Sequence, residues 1–277
     1  MKSDAGGNEL RVYLTGRAFP SVSVTGTECA QMCEHCKGRF LKGMTDARVT
    51  SVSDIADALV AEGATGMLIS GGCDADGTVP VMKELEHIRY AVSKGLKINV
   101  HTGFIGKEDA ERLVAAGVSV FSADVHQDPD VIRDVLHLRV PANAYSELLD
   151  NIISAGGTPA VHLTAGLGTR DLILSAELVR SKGLNEVILL ALIPVKGTAA
   201  GTPVSEDTVL EAVNILTEMG MEVTLGCMRP RIHRDLEIKC IEAGVRRIAN
   251  PSRSTLIWAS EKGMKIIEIP GCCCFIR

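Results

Sequence analysis

The sequence predicts an α/β fold, specifically a TIM-type (βα)8 barrel, full or nearly full, on three observations. Short β-branched apolar runs alternate with amphipathic segments at helical spacing through most of the 277 residues. A glycine repeatedly stands where a helical segment gives way to the next strand, as expected of a residue that accepts the left-handed conformation closing a helix. Hydrophobic residues make up 46% of the chain but aromatics only 3%, so the core must be built from Val, Ile, Leu, Ala and Met. That is the filling of parallel strands covered by helices on both faces. One such barrel needs about 250 residues.

The expected strands cover residues 22–27, 66–70, 97–101, 119–124, 159–164, 186–193, 222–226 and 246–249. Helical spacing fills the intervals. The first helix, 52–62, opens after serines (Ser51, Ser53) and closes on Gly63. The next three, 81–94, 107–116 and 145–155, close on Gly95, Gly117 and Gly156. Then follow 172–182 with Gly183, 206–219 with Ser205 before it and Gly220 after, 236–243 with Gly244, and 254–262 with Gly263. Residues 1–20 read as a lead-in, 21–263 as the barrel domain, and 264–277 as a Cys-rich tail beyond the last helix. Alternation alone does not distinguish a closed barrel from an incomplete one or from an open doubly wound sheet.

A net charge of −5 without any Lys/Arg run offers nucleic acid no basic surface. The longest apolar run, 187–195, is nine residues and contains Pro194, against the roughly 20 that span a bilayer. The opening MKSDAGGNELR lacks the apolar stretch of a signal peptide, so no membrane association and a cytoplasmic location are expected. In a reducing compartment the nine cysteines are poor disulfide candidates and better metal or redox candidates. Three fall within 29–36, three are consecutive (Cys272, Cys273, Cys274), and the others are Cys73, Cys227 and Cys240.

The loop after the first expected strand reads Thr25-Gly-Thr-Glu-Cys29-Ala-Gln-Met-Cys33-Glu-His-Cys36, a Cys-x3-Cys-x2-Cys spacing. Three thiolates on one short loop can wrap three corners of a cubane. Iron–sulfur clusters normally take four cysteines, and no fourth lies nearby in sequence, so one iron would stay open to a small molecule. The alternative is a structural zinc site with His35 as a further ligand.

This loop resembles the radical S-adenosylmethionine (SAM) superfamily. The resemblance implies that Cys29, Cys33 and Cys36 ligate a 4Fe-4S cluster. SAM would chelate the fourth iron, and reductive cleavage of SAM would yield a 5′-deoxyadenosyl radical. It also implies that Ser70-Gly71-Gly72-Cys73 takes the place of the family's Gly-Gly-Glu-like motif, whose backbone receives SAM's ammonium. The glycines match and the acidic residue does not; a tight βα turn is the plainer reading. Polar groups at strand ends (Asn99, His101, Ser122, Asp124, His162, Thr164) are expected at the mouth. Among these Asp124 is the candidate for a ribose contact, with a helix cap or salt bridge as the alternative. His101 and His162 read individually as packed barrel residues. Arg170 is a candidate for SAM's carboxylate or else a solvated residue at a helix start. Arg229 is a candidate for SAM's or the substrate's carboxylate, an unusual cluster ligand, or a salt bridge to an outer helix.

The ordered set of Phe19-Pro-Ser-Val-Ser-Val-Thr-Gly, the segment 36–44, Ser70-Gly-Gly-Cys73, Asp134-Val-Leu-His-Leu138, Leu225-Gly-Cys-Met-Arg-Pro230 and the closing Cys-Cys-Cys narrows the likeness. It resembles the biotin-synthase-related group that includes one component of the two-protein, archaeal-type lipoyl synthase. That resemblance implies a transferase inserting sulfur into an octanoyl chain on a lipoyl carrier protein. Ferredoxin or flavodoxin would donate the electron, and a second radical SAM protein is a possible partner. An auxiliary Fe-S cluster would supply the sulfur, with Cys73, Cys227, Cys272, Cys273 and Cys274 as candidate ligands converging at the mouth, the tail folding back over it. The auxiliary cysteine motif of the single-chain lipoyl synthase is absent, since residues 1–28 hold no cysteine. Cys240, mid-helix, reads as a buried small hydrophobe.

Overall fold

Among the described residues eleven strands, all parallel, form one sheet in the order β11-β1-β10-β9-β8-β7-β6-β5-β4-β2-β3. The computed structural model describes residues 8–193, 195, 197–198 and 204–275. The strands are β1 (Glu9–Leu14), β2 (Ser21–Ser23), β3 (Thr45–Asp46), β4 (Gly66–Ser70), β5 (Lys97–His101), β6 (Val120–Asp124), β7 (Thr158–Ala165), β8 (Glu186–Ala191), β9 (Glu222–Leu225), β10 (Arg247–Ala249) and β11 (Lys265–Pro270). The helices are α1 (Val52–Ala61), α2 (Leu85–Ser93), α3 (Lys107–Ala115), α4 (Ala144–Ser154), α5 (Thr169–Ser181), α6 (Glu206–Glu218), α7 (Leu236–Glu242) and α8 (Arg253–Glu261). None of these is long and apolar enough to cross a membrane.

All eight expected strands and helices are present, with shifted ends. Residues 81–84 form a 3-10 turn ahead of α2. The eight closing glycines all have φ between +73° and +108°, a region that costs other residues strain. Ser51 and Ser205 cap their helices, accepting from Asp54 N at 3.2 Å and Thr208 N at 3.1 Å. Ser53 does not; it lies inside α1, with its hydroxyl 2.8 Å from His87 Nδ1.

The ends of the chain depart from expectation. Residues 9–14 of the expected lead-in are β1, paired to both β10 and β11, and residues 265–270 of the expected tail are β11. Leu10 and Val12 are fully buried in the helix-facing core while Arg11 between them is not, and Tyr13 on the other face is buried in the inner core, so successive side chains go to opposite faces as in a strand. Residues 1–7 and 276–277 lie outside the described residues.

No ladder joins β11 to β2 or β3 among the described residues, so hydrogen-bonded strands do not close the ring. Thr65, just before β4, spans the seam: its N–H donates to Ala18 O at 2.8 Å, and its hydroxyl lies 2.9 Å from Ala18 O and 3.3 Å from Pro270 O. Between sheet and helices lies the main core, including Met67, Ile69, Ile98, Leu113, Leu149, Ile152, Leu189 and Leu216. Each such side chain contributes roughly 1.5–3 kcal/mol by leaving water. A second, smaller core lies on the inner face. There Cys273 and Cys274 pack against Tyr13, Val120, Ala160, Ile188 and Ala249, from five strands. The sheet therefore curves around the tail, which runs inside it rather than over its mouth.

Candidate active site

The Cys loop starts from the shortness of β2. After three residues the chain turns at Thr25-Gly26, and Thr25 fastens the loop to the end of β4. Its hydroxyl accepts from Gly72 N at 2.7 Å and donates to Glu28 O at 2.9 Å. Ala30 N donates to Cys73 O at 2.8 Å. The two backbones come so close that a Cβ on Gly72 would lie 2.0 Å from Glu28 O and 2.6 Å from Cys29 Cα. Glycine is required at 72 by contact and not by backbone angle. A Cβ on Gly71 would meet only Thr25, at 3.0 Å.

The Asp134–Leu138 stretch holds the loop from the other side. Val131–Val135 is a single turn of π-helix, a form often found at functional sites. Beyond it, Leu136 O accepts from Gln31 Nε2 at 2.9 Å and lies 3.6 Å from Cys33 Sγ, while Glu34 N donates to Val135 O at 2.8 Å. Cys33, Val131, Leu136 and Leu138 form a small apolar cluster of their own.

Cys29, Cys33, Cys36, Gly71, Gly72, Cys73 and Asp124 all line one cavity of about 310 Å³ at the C-terminal ends of the strands, where barrels of this kind place their chemistry. The thiols interact. A hydrogen bond from Cys33, with His35 alongside, draws the Cys36 thiol down to about 4 against the upward push of burial, while Cys33 is held well above the ordinary thiol range. Cys73 differs: burial, then Cys29 and Asp124, push it up to about 12, so it stays a protonated thiol at neutral pH.

The spacing of the thiols separates a cluster from zinc here. A tetrahedral ion with bonds of about 2.3 Å holds its sulfurs about 3.8 Å apart. Among the described residues, the only group of three potential ligands lying within 4.8 Å of one another is Cys272, Cys273 and Cys274; Cys29, Cys33, Cys36 and His35 are spread more widely. The buried His35 Nδ1 has no hydrogen-bond partner among the described residues and does not distinguish the two. Three thiols spread around one cavity, with the fourth lining cysteine, Cys73, held protonated, fit a 4Fe-4S cluster with an exchangeable ligand.

Asp124 sits between two imidazoles, 3.3 Å from His101 Nε2 and 3.6 Å from His162 Nδ1, with its side chain 46% exposed. Burial raises the Asp124 carboxyl, but His101 and His162 outweigh that and hold it well below the carboxylate range. For His101 burial acts downward and Asp124 prevails, leaving it raised. A second pair escaped the sequence reading. His126, lining the cavity, lies 2.7 Å from Asp171, and both are buried. Asp171 also accepts from Gln127 N and Asp128 N at 2.7 and 2.9 Å, fixing the loop after β6. A buried Asp in the first turn of α5 has no local sequence signal.

Of the five auxiliary candidates, the structure brings Cys272, Cys273 and Cys274 together and leaves Cys73 and Cys227 outside that group. Cys73 belongs to the mouth, and Cys227 is exposed beyond β9. The tail triad lies deeper in the lumen. Cys274 Sγ is 3.5 Å from Ser122 Oγ and 3.8 Å from His162 Nε2, and Cys272 Sγ is 3.9 Å from Asn99 Nδ2. Hydrogen bonds from Cys273 and Cys274 hold the Cys272 thiol well below its ordinary value.

Of the roles weighed for Arg229, the structure contains the salt bridge. Nε and Nη2 donate to Glu237 of α7 at 3.0 and 2.5 Å, and the remaining N–H groups go to the carbonyls of Gly226, Ala249 and Asn250. These five bonds use all five guanidinium donors, leaving none for a carboxylate of SAM. Arg170 has a side chain 66% exposed and 3.6 Å from Asp128; it does not line the cavity.

No protein-family model matches the sequence, and no curated protein matches it. Among solved structures, a methylornithine synthase superposes with a TM-score of 0.66 at 14% identity, over 94% of this chain and 84% of that one. The FeFe-hydrogenase maturase HydG from Carboxydothermus hydrogenoformans gives 0.65 at 18% identity, over 98% of this chain and 70% of the other. A radical S-adenosylmethionine methyltransferase from Kitasatospora setae, with tryptophan and a SAM analog bound, gives 0.50 at 16% identity, over 67% of this chain and 38% of that chain. At such identities the fold is what is shared.

Proposed function

We propose that the chain is a radical SAM enzyme, on one observation above all: a three-cysteine loop pinned against a Gly-Gly turn at the mouth of a curved parallel sheet. Cys29, Cys33 and Cys36 would hold a 4Fe-4S cluster that, with SAM bound, supplies the 5′-deoxyadenosyl radical for hydrogen abstraction. Thr25 and Gly72 set the position of Cys29. Asp124, with His101 beside it, would be available to a ribose hydroxyl, and the Gly71-Gly72 backbone, lining the same cavity, would receive the ammonium. The shared fold of the solved radical SAM methyltransferase supports this reading.

The finer proposal is a lipoyl-synthase-type sulfurtransferase acting on an octanoylated lipoyl carrier protein, with ferredoxin or flavodoxin as reductant and a second radical SAM protein as a working partner. Its support is a second group of thiols converging inside the barrel, Cys272, Cys273 and Cys274; these sulfurs stand closer together than cluster ligands and would have to spread to hold an auxiliary Fe-S cluster, which would give a sulfur source beneath the site of radical formation. Incubation with SAM, reductant and the octanoylated carrier domain, followed by intact mass of the carrier, tests it; no sulfur gained despite 5′-deoxyadenosine formation refutes the transfer while sparing radical chemistry. A rearrangement or C–C cleavage is then the remaining class. Iron content after anaerobic reconstitution distinguishes the two, at about eight per chain for two 4Fe-4S clusters and about four for one.

A further inference from the structure

Side chains on the inner face of the sheet stand in layers, because successive residues of a strand point to opposite faces. His101, Asp124, Thr164 and Leu190 form the upper layer and line the mouth cavity. Two residues back along each strand, Asn99, Ser122, His162 and Ile188 form a middle layer that lines no cavity among the described residues. There Asn99 Nδ2 donates to Ser122 Oγ at 2.9 Å, and both residues are buried. Two residues further back, Lys97, Val120, Ala160 and Glu186 line a second cavity of about 380 Å³ at the N-terminal ends of the strands. A barrel interior is ordinarily packed with side chains rather than open at this end.

The tail thiols belong to the lower cavity. Cys272, which is part-exposed, and Cys274 line it, while none of the three tail cysteines lines the mouth. The lining is also basic. It includes Arg11 and Lys97, and its one carboxylate among the described residues, Glu186, is held at 2.8 Å by Arg247. Lys97 Nζ lies 5.7 Å from the ring of Phe275, the residue directly after the three cysteines. A positive cavity of this kind concentrates anions and repels cations. It favours small sulfur anions over hydrated metal ions as visitors to Cys272.

We infer that the lower cavity binds a small anionic donor of sulfane sulfur, which reaches Cys272 from the N-terminal end of the barrel. This deepens the sulfurtransferase reading and rests on it, since a sulfur source consumed in each round must be refilled. With thiosulfate as donor, the Cys272 thiolate attacks the outer sulfur and forms a new S–S bond. The original S–S bond breaks, sulfite leaves with the electron pair, and the transferred sulfur stays on Cys272 as a persulfide. The exchange needs no outside oxidant. Sulfur then arrives from the end opposite the outer site at Cys29, Cys33 and Cys36, with the middle layer between the two.

The test uses the full chain prepared anaerobically without iron, with modification read at each cysteine by peptide mass. A sulfonate-bearing methanethiosulfonate is expected to modify Cys272 severalfold faster than a trimethylammonium-bearing one. Arg11→Gln combined with Lys97→Glu should reverse that order. Ser119→Trp, at an exposed position lining the cavity, should slow both reagents at Cys272 and leave the exposed Cys227 unchanged; a misfolded variant would react faster with both. Thiosulfate should release one sulfite per chain, and Cys272→Ser should abolish the release. Rates at Cys272 that ignore both reagent charge and Ser119→Trp overturn the lower site. Labelling as expected with no sulfite from thiosulfate overturns the sulfane donor. If Cys272 is closed to every reagent while the octanoylated carrier still gains sulfur, this route fails and the transferase reading stands. Sulfite release at Cys272 with no sulfur on the carrier has the opposite meaning.

Discussion

Substituting Gly72→Ala tests whether the Cys loop depends on backbone contact with the end of β4. A Cβ at that position would lie 2.0 Å from Glu28 O and 2.6 Å from both Cys29 Cα and Cys29 Cβ. Non-bonded Cβ contacts below 3.0 Å are essentially never found, so one backbone must retreat by about 1 Å, and the partner on the loop side includes the Cys29 Cα. Overpacking of this kind costs about 1–3 kcal/mol, a fall of roughly 3–10 °C in Tm for a chain of this size. The larger effect is expected in metal loading, because a 1 Å displacement of one cysteine spoils a three-point site. Iron retained by the outer site after anaerobic reconstitution should drop severalfold in Gly72→Ala. Gly71→Ala, whose Cβ meets Thr25 at 3.0 Å, should drop much less. Equal iron content in Gly72→Ala and the unsubstituted protein, with equal Tm, would refute the contact argument.

Other expectations follow from the same geometry. Alanine at Cys29, Cys33 or Cys36 should abolish 5′-deoxyadenosine formation from SAM, measured by chromatography; cleavage surviving Cys33→Ala contradicts the cluster assignment. Alanine at Cys272, Cys273 and Cys274 should spare SAM cleavage and stop sulfur transfer to the carrier. Glu237→Ala, which strips a buried Arg229 of its partner, should cost about 3–5 kcal/mol in urea unfolding; a change below 1 kcal/mol would show the network to be dispensable. The Asp124–His101 pair predicts a pH window. Asp124, depressed in the folded state, stabilises above about pH 3.9 and loses that share as pH falls through its folded value. His101, raised, stabilises below about pH 6.5 and loses its share as pH rises through its folded value. The stability difference between the parent and His101→Gln should thus be largest near pH 5.5 and shrink by pH 8.5; a constant difference would rule the pair out.

What the sequence revealed and what it hid divide along the range of the interactions. The βα rhythm, the closing glycines and the Cys-x3-Cys-x2-Cys loop are local signals, and each appears in the structure where its pattern put it. Strand β1 carried a local signal too, the alternation of Leu10 and Val12 with Arg11 and Tyr13, masked by the polar residues before it. Strand β11 carried less, with Ile266, Ile267 and Ile269 only half-buried at the sheet edge. The seam at Thr65, the grip of Leu136 O on the Cys loop and the His126–Asp171 pair join residues more than 40 positions apart; no periodicity reports them. The tail misled for a related reason. Its destination depends on β11 pairing with β1, which directs Cys272–Cys274 into the lumen and away from Cys73.

That pairing also bears on how the protein is made. Among the described residues β1 pairs with β10 and β11 and with no other strand, and the Glu9–Lys265 ion pair between β1 and β11 joins residues 256 positions apart. During synthesis the first strand is therefore an orphan, its two edges unpaired while β2 to β9 assemble beside it. An exposed strand held so long is an aggregation hazard, and long-range parallel pairing is slow. Production should then respond strongly to chaperone supply and to growth temperature.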